Sequence, residues 1–242
     1  MHGIILGGLY ESLLWDPNWV SVKRAAGGHR IASHLRKEGW DVEVLDFLPA
    51  WTEEELKEFL RSRIKDDTVF VGISSVFPPG QALERIRNVL NYIKTNYPHV
   101  ITVAGSKNLY VTFNFSPYVD YYLTGYGENG MIELLKYIQG KESNVNIQDT
   151  VEWGIPLKLV DCDKHHAAYP MDDLSVEYEE RDFLQPNERL TLEFSRGCKF
   201  KCKFCSYNLI GVRYNTCRQM ETLERELKTN YDKWGITNYD VA

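Results

Sequence analysis

The chain has 242 residues, enough for one large or two modest domains with a core that supports itself. Hydrophobic residues make up 43% and charged residues 26%, an ordinary globular balance, and a net charge of −6 leaves no global basic footprint for nucleic acid. No apolar run approaches the roughly 18 residues of a membrane-spanning helix, and the first residues, Met-His-Gly-Ile-Ile-Leu-Gly-Gly, lack the basic flank and cleavage site of an export signal.

Residues 1 to 140 alternate strand-like and helix-like stretches. Residues 3–9 read as a short apolar strand. Residues 21–38 carry Val22, Ala25, Ile31, Ala32 and Leu35 at roughly helical spacing, and Gly39 stops them. The alternation in 41–47 predicts a second strand. Thr52 is placed to cap a helix over 53–64, with Glu55 completing a capping box. The continuous apolar run 68–76 predicts a strand covered on both faces. A helix over 79–96, strands over 100–104 and 118–124, and a helix over 128–138 closed by Gly140 follow. Five such repeats predict an α/β fold whose first part is a doubly wound, flavodoxin-like or Rossmann-like parallel sheet.

Ligands on such sheets gather at the carboxyl ends of the strands. Those ends are small or polar here: Gly7-Gly8, Ser74-Ser75, Gly105-Ser106 and Gly125-Tyr126-Gly127-Glu128. Small residues let a bulky cofactor approach the backbone, and they equally suit ordinary strand-to-helix turns. His29 and His34, five apart, do not share a helical face as a metal pair would, so both read as surface or packing residues.

Residues 141–189 are expected to be an irregular, proline-containing linker with one short strand pair at 151–153 and 157–160. Cys162 stands alone there as a buried or free thiol. A second domain begins at 190 with a strand over 190–194. A loop follows to about 214, then a helix over 220–234 ended by Gly235 and a strand over 238–241. The loop contains Cys198, Cys202 and Cys205, spaced C-x3-C-x2-C.

Three thiolates on one loop suit a metal or an iron–sulfur cluster, and three ligands on a four-iron cubane leave one iron open. A structural zinc site would want a fourth ligand, for which Cys217, His165 or His166 are the candidates. An electron-transfer cluster would want a fourth cysteine. The odd count of five cysteines argues against a disulfide framework and for a reducing, cytoplasmic setting. Arg196, Lys199, Lys201 and Lys203 lie among these cysteines. They either offset an anionic cluster or attract an anionic substrate, or they form a solvated loop.

With Phe204 just before the last cysteine and a strand just before the first, this segment resembles the radical S-adenosylmethionine superfamily. The resemblance implies that Cys198, Cys202 and Cys205 hold a 4Fe–4S cluster whose open iron is chelated by S-adenosylmethionine. It places Phe204 beside the adenine. It also implies an external electron donor and reductive cleavage of the sulfonium to a 5′-deoxyadenosyl radical. The first part of the chain resembles the cobalamin-binding domain of one large class of these enzymes. Ser74-Ser75-Val76 stands where that family has S-x-L, Ala104-Gly105 where it has paired glycines, and Gly125-Tyr126-Gly127-Glu128 at its G-E-G-E turn.

That likeness implies a cobalamin-type pocket at Ser74, Gly105, Gly125 and Glu128, and methyl transfer as the reaction class when cobalamin binds. The D-x-H-x-x-G signature is absent, and Asp16-Pro17-Asn18-Trp19 occupies its loop, so no protein histidine is implied as a lower ligand. The family's radical domain is a partial barrel of several strand–helix units of roughly 30 residues each. Here one unit and the start of a second are present. Three readings stay open: an incomplete gene product, a split enzyme whose second polypeptide completes the barrel, or a diverged chain. The competing function is a non-catalytic corrinoid- or nucleotide-type binding module with an accessory metal-binding cysteine loop. The sequence does not reveal a substrate, small or macromolecular.

Overall fold

A computed structural model describes residues 1–7, 24, 26–74, 80–106, 115, 117–152, 154–162, 175–186, 188–197, 200, 202–203 and 216–241. Its main feature is a seven-stranded sheet of order β2-β1-β3-β4-β5-β7-β6. The strands are β1 (His2–Leu6), β2 (Asp41–Leu45), β3 (Thr68–Ser74), β4 (Ile101–Ser106), β5 (Tyr121–Thr124), β6 (Ile147–Glu152) and β7 (Ile155–Asp161). All neighbours pair in parallel except β6 and β7, which form an antiparallel hairpin. The expected doubly wound sheet is therefore present, with its switch of direction between β1 and β3.

Alternation along the strands sorts the core into two layers. Ile4, Leu6, Val71, Ile73, Ala104 and Tyr122 face one side, where helices α2 (Glu53–Arg63) and α3 (Gly80–Asn96) supply Leu56, Leu60, Leu90 and Ile93. Ile5, Phe70, Val103 and Leu123 face the other, against Leu35 of α1 (Ala26–Lys37) and Leu134 and Leu135 of α4 (Gly127–Ile138). Both faces of the central strands are thus covered by helices, which is why these strands are nearly continuous in apolar residues. Thr52 caps α2, accepting from the Glu55 backbone while the Glu55 carboxylate accepts from the Thr52 backbone, as the sequence predicts.

The segment expected to be a linker begins differently. Its first part supplies β6 and β7, both longer than the predicted strand pair, and β7 pairs in parallel with β5, so the main sheet runs on to Asp161. Leu157 and Val160 are buried on opposite faces, one in each core layer. The polar start of β6, residues 147–150, hid that part of the strand from a hydrophobicity reading. An edge strand needs a ladder on one side only and tolerates a wet face.

Beyond the main sheet, β8 (Arg189–Leu192) pairs in parallel with β11 (Asn238–Val241), and the helix α5 (Met220–Trp234) lies between them in sequence. Gly235 closes α5 at φ +67, the left-handed cap that glycine takes without strain, and its N–H donates to the Tyr231 carbonyl. The two-residue strands β9 (Ser195–Arg196) and β10 (Thr216–Cys217) pair antiparallel, bringing together the two ends of the cysteine loop. Among the described residues no helix is long and apolar enough to cross a membrane.

Candidate functional site

The carboxyl ends of β1, β3, β4 and β5 open on the α1 and α4 side into a cavity of about 220 Å³. Ser74, Gly105, Gly125 and Glu128, named from the sequence, all line it. Gly72 and Gly105 form part of its floor, and a Cβ built on Gly105 would meet nothing nearer than the Leu123 Cβ, at 4.0 Å. The floor is therefore open because glycine stands there. Gly125 has φ +84, so the turn from β5 into α4 takes a left-handed step that other residues resist. The walls are apolar, from Ile5, Ile31, Phe70, Val103, Leu123 and Met131.

One end of the cavity is strongly charged. Arg196 is 2% exposed and is the largest of the wholly buried side chains among the described residues. Its guanidinium forks onto the Glu128 carboxylate, Nη1 donating to Oε2 at 3.3 Å and Nη2 to Oε1. Nε and Nη2 also donate to the two Glu193 oxygens at 2.9 and 3.2 Å, and the guanidinium lies 4.1 Å from the centre of the Tyr126 ring. Glu193 in turn pairs with Arg30 of α1 at 2.8 Å. Burial alone would raise the Glu128 carboxyl, but the charge and hydrogen bonds of Arg196 outweigh it and bring it down to about 2. Arg196 shifts the opposite way and is raised: burial opposes its charge, and the attraction of Glu128 and Glu193 prevails.

For Arg196 this placement corrects two of the expected alternatives, the solvated loop and the attraction of an anionic substrate. The guanidinium neither sits in solvent nor awaits an anion, because two carboxylates already neutralise it. Of the other basic residues in that cluster, Lys203 is exposed, and Lys199 and Lys201 lie outside the described residues. Sequence reasoning missed Arg30 and Glu193, and it named Tyr126 only as part of the strand-end turn. The one available signal was the spacing of Glu193 and Arg196, three residues apart beside a turn.

A second ionic cluster ties the 178–188 region to the first sheet. Arg24 forks onto Glu188 with two bonds of 2.9 Å, donates to the Asp182 carbonyl at 2.8 Å and pairs with Asp46. His29 Nε2 lies 2.8 Å from Asp46 Oδ2, and Arg36 forks onto Asp182 at 3.0 Å on both arms. His29 and His34 are both buried, so the packing alternative holds for them and the surface one does not.

Of the three motif cysteines, Cys202 is exposed at the surface, while Cys198 and Cys205, with Phe204, lie outside the described residues. Among the described residues no group of three His, Cys, Asp or Glu side chains is arranged for a metal ion. The donor chemistry of the trio stands on its own: three thiolates on one loop are soft ligands suited to iron–sulfur clusters. Cys162 is wholly buried against Gly130, and Cys217 is exposed in β10.

No family model matches the chain. It is similar to an anaerobic magnesium-protoporphyrin IX monomethyl ester cyclase from Rubrivivax gelatinosus, 26% identical over 212 residues, covering 79% of this chain and 35% of the cyclase. Its structure is similar to that of the radical S-adenosylmethionine methyltransferase TsrM from Kitasatospora setae with tryptophan substrate and the S-adenosylmethionine analogue aza-SAM bound. The TM-score there is 0.66 at 14% identity, over 100% of this chain and 47% of that one. A TsrM structure with cobalamin and a 4Fe-4S cluster bound gives 0.62 at the same identity and coverage. The chain thus spans about a third of the curated relative's length, by the 35% covered, and about half of the solved chains, by the 47%. The α/β fold expected from the sequence is thus borne out: the chain's structure is similar to that of a radical S-adenosylmethionine methyltransferase solved with cobalamin and a 4Fe-4S cluster bound.

Proposed function

We propose that this chain is a radical S-adenosylmethionine enzyme, or the front part of one, with a cobalamin-type first domain. The observation that carries the reading is the C-x3-C-x2-C segment following β8, in a chain whose whole length shares the fold of such a methyltransferase. Cys198, Cys202 and Cys205 would hold a 4Fe–4S cluster, with Phe204 beside the adenine of S-adenosylmethionine. When bound and reduced by an external donor, the cluster supplies reductive cleavage of S-adenosylmethionine to a 5′-deoxyadenosyl radical.

The first domain's cavity would take a heteroaromatic part of a corrinoid, with Gly72 and Gly105 leaving the floor open and Ser74 and Gly125 at the rim. Methyl transfer is then the natural reaction class. Charged residues at the cavity's end are internally paired, so ligand selection there falls to shape and apolar contact.

The test is anaerobic iron–sulfur reconstitution read by electron paramagnetic resonance, with and without S-adenosylmethionine. The expected result is a reduced-cluster signal that changes on adding it, abolished by Cys198→Ala, Cys202→Ala or Cys205→Ala and kept in Cys162→Ala and Cys217→Ala. Zinc binding without iron chemistry would overturn the reading and leave a binding module with an accessory metal loop.

A further inference from the structure

The Glu128–Arg196 pair joins two places that the proposed function keeps separate. Glu128 stands in the first turn of α4, on the wall of the cavity, where the helix N-terminus also favours a carboxylate. Arg196 stands in β9, two residues before Cys198. β9 is also where the far end of the cysteine loop returns, since Thr216 pairs with Arg196 and Cys217 with Ser195. The Arg218 N–H donates to the Phe194 carbonyl at 2.9 Å, just below that pairing. The described residues at both ends of the cysteine loop therefore meet at the backbone of the residue that carries this buried guanidinium.

That guanidinium is tightly constrained. Two carboxylates engage its edge from Glu128 and Glu193, and the Tyr126 ring lies along its face. A planar fork with fixed donor directions is satisfied in few orientations, unlike a lysine ammonium. Buried ion pairs add little net stability compared with apolar residues of the same volume, and their attested use is to specify one arrangement.

We propose that Glu128 and Arg196 are positioning residues that lock the base of the cysteine loop to the cavity wall, so that the loop's ligands are held in one register against the first domain. This rests on the cluster reading for one of its two readouts only. The test uses the double variant Glu128→Gln/Arg196→Met, which removes both charges together and leaves neither as a lone buried ion. Leu60→Ala, in α2 on the opposite face of the sheet, is the destabilised control.

The first readout is amide hydrogen exchange in the metal-free chain. The double variant should exchange about tenfold faster over 190–197 and 216–218 with β1, β3 and β4 unchanged, a local loosening that Leu60→Ala does not reproduce. The second is iron retained per chain after anaerobic reconstitution against a chelator, expected to weaken by roughly tenfold, as when outer partners of metal ligands are removed. Unchanged exchange over 190–197, a speeding equal to that in Leu60→Ala, or unchanged iron retention in a chain whose wild type loads iron would each overturn the positioning role. A wild type that loads no iron would sink the cluster reading instead, and the exchange data would still decide this one.

Discussion

In the main sheet and the helices that cover it, Phe70, Leu90 and Leu134 are wholly buried among apolar neighbours, whereas the largest wholly buried side chain among the described residues near the cysteine loop is an arginine. The sheet has two apolar layers, one on each face. Among the described residues after 175 the apolar cluster is small, Val176, Tyr178, Leu190 and Ile236 with Ala26, and ionic contacts accompany it. Arg24 with Asp46 and Glu188, Arg36 with Asp182, Arg196 with Glu128, and Arg218 with Glu226 at 2.7 Å all bridge separate elements. The difference teaches that apolar burial builds the first region, while paired charges orient the second upon it. Hydrophobic contact is non-directional, and a forked ion pair is not.

The sharpest way to break this comparison is to leave one buried charge alone. Arg196→Ala should lose about 3–5 kcal/mol in urea unfolding, because Glu128 and Glu193 would then face each other without their shared cation. Glu128→Ala should lose a comparable amount. A loss under about 1 kcal/mol would mean the pair behaves like a surface contact.

Acid reads the same pair. The Glu128 carboxyl falls from an ordinary 4.5 to about 2 in the folded chain, so its stabilising contribution is complete above 4.5 and disappears as pH drops towards 2. Arg30, Arg196 and Glu193 surround it, and His34, itself pushed down by burial, lies on the neighbouring α1. Hydrogen exchange at β8 and β9 should therefore be flat from pH 7 to about 5, once corrected for intrinsic rates, and accelerate below about 4.5 before β1 or β3 loosens.

Packing in the first region gives the next largest effect. A Cβ on Gly130 would lie 2.2 Å from the Cys162 Sγ, so Gly130→Ala should destabilise by about 1–3 kcal/mol through overpacking. Adding Cys162→Ala should recover most of that loss, a non-additivity visible in a double-mutant cycle. Thr52→Ala removes one member of the capping box and should lower the melting midpoint by an amount matching about 1 kcal/mol.

Gly105→Ala should have the least effect on stability, below about 1 kcal/mol, since the added methyl meets nothing nearer than 4.0 Å. Its effect should instead appear as weakened hydroxocobalamin binding, followed by absorbance titration, because the methyl enters the cavity floor.

Much of the fold is legible in the residues. The capping box at Thr52 and Glu55, the run through Val69, Phe70 and Val71, and the helix from Met220 to the glycine at 235 all carry their signals locally, within a turn or two of chain. The site is legible only in part. Strand ends together with the family resemblance pointed to Ser74, Gly105, Gly125 and Glu128, and they do share one cavity. Nothing local said that the Glu128 carboxylate would be taken by a guanidinium 68 residues away. Lysines and an arginine around cysteines look alike as letters, and burial is what separates Arg196 from Lys203.

By itself, then, the sequence determined the alternation of strands and helices, the faces they bury and the cysteine spacing, because periodicity and capping act between near neighbours. Tertiary structure alone decided that β6 and β7 extend the main sheet, that His29 and His34 are interior, and that Arg196 pairs with Glu128 on the cavity wall. Those outcomes depend on which distant groups meet, and on how much a charge loses on leaving water unless a partner is waiting for it.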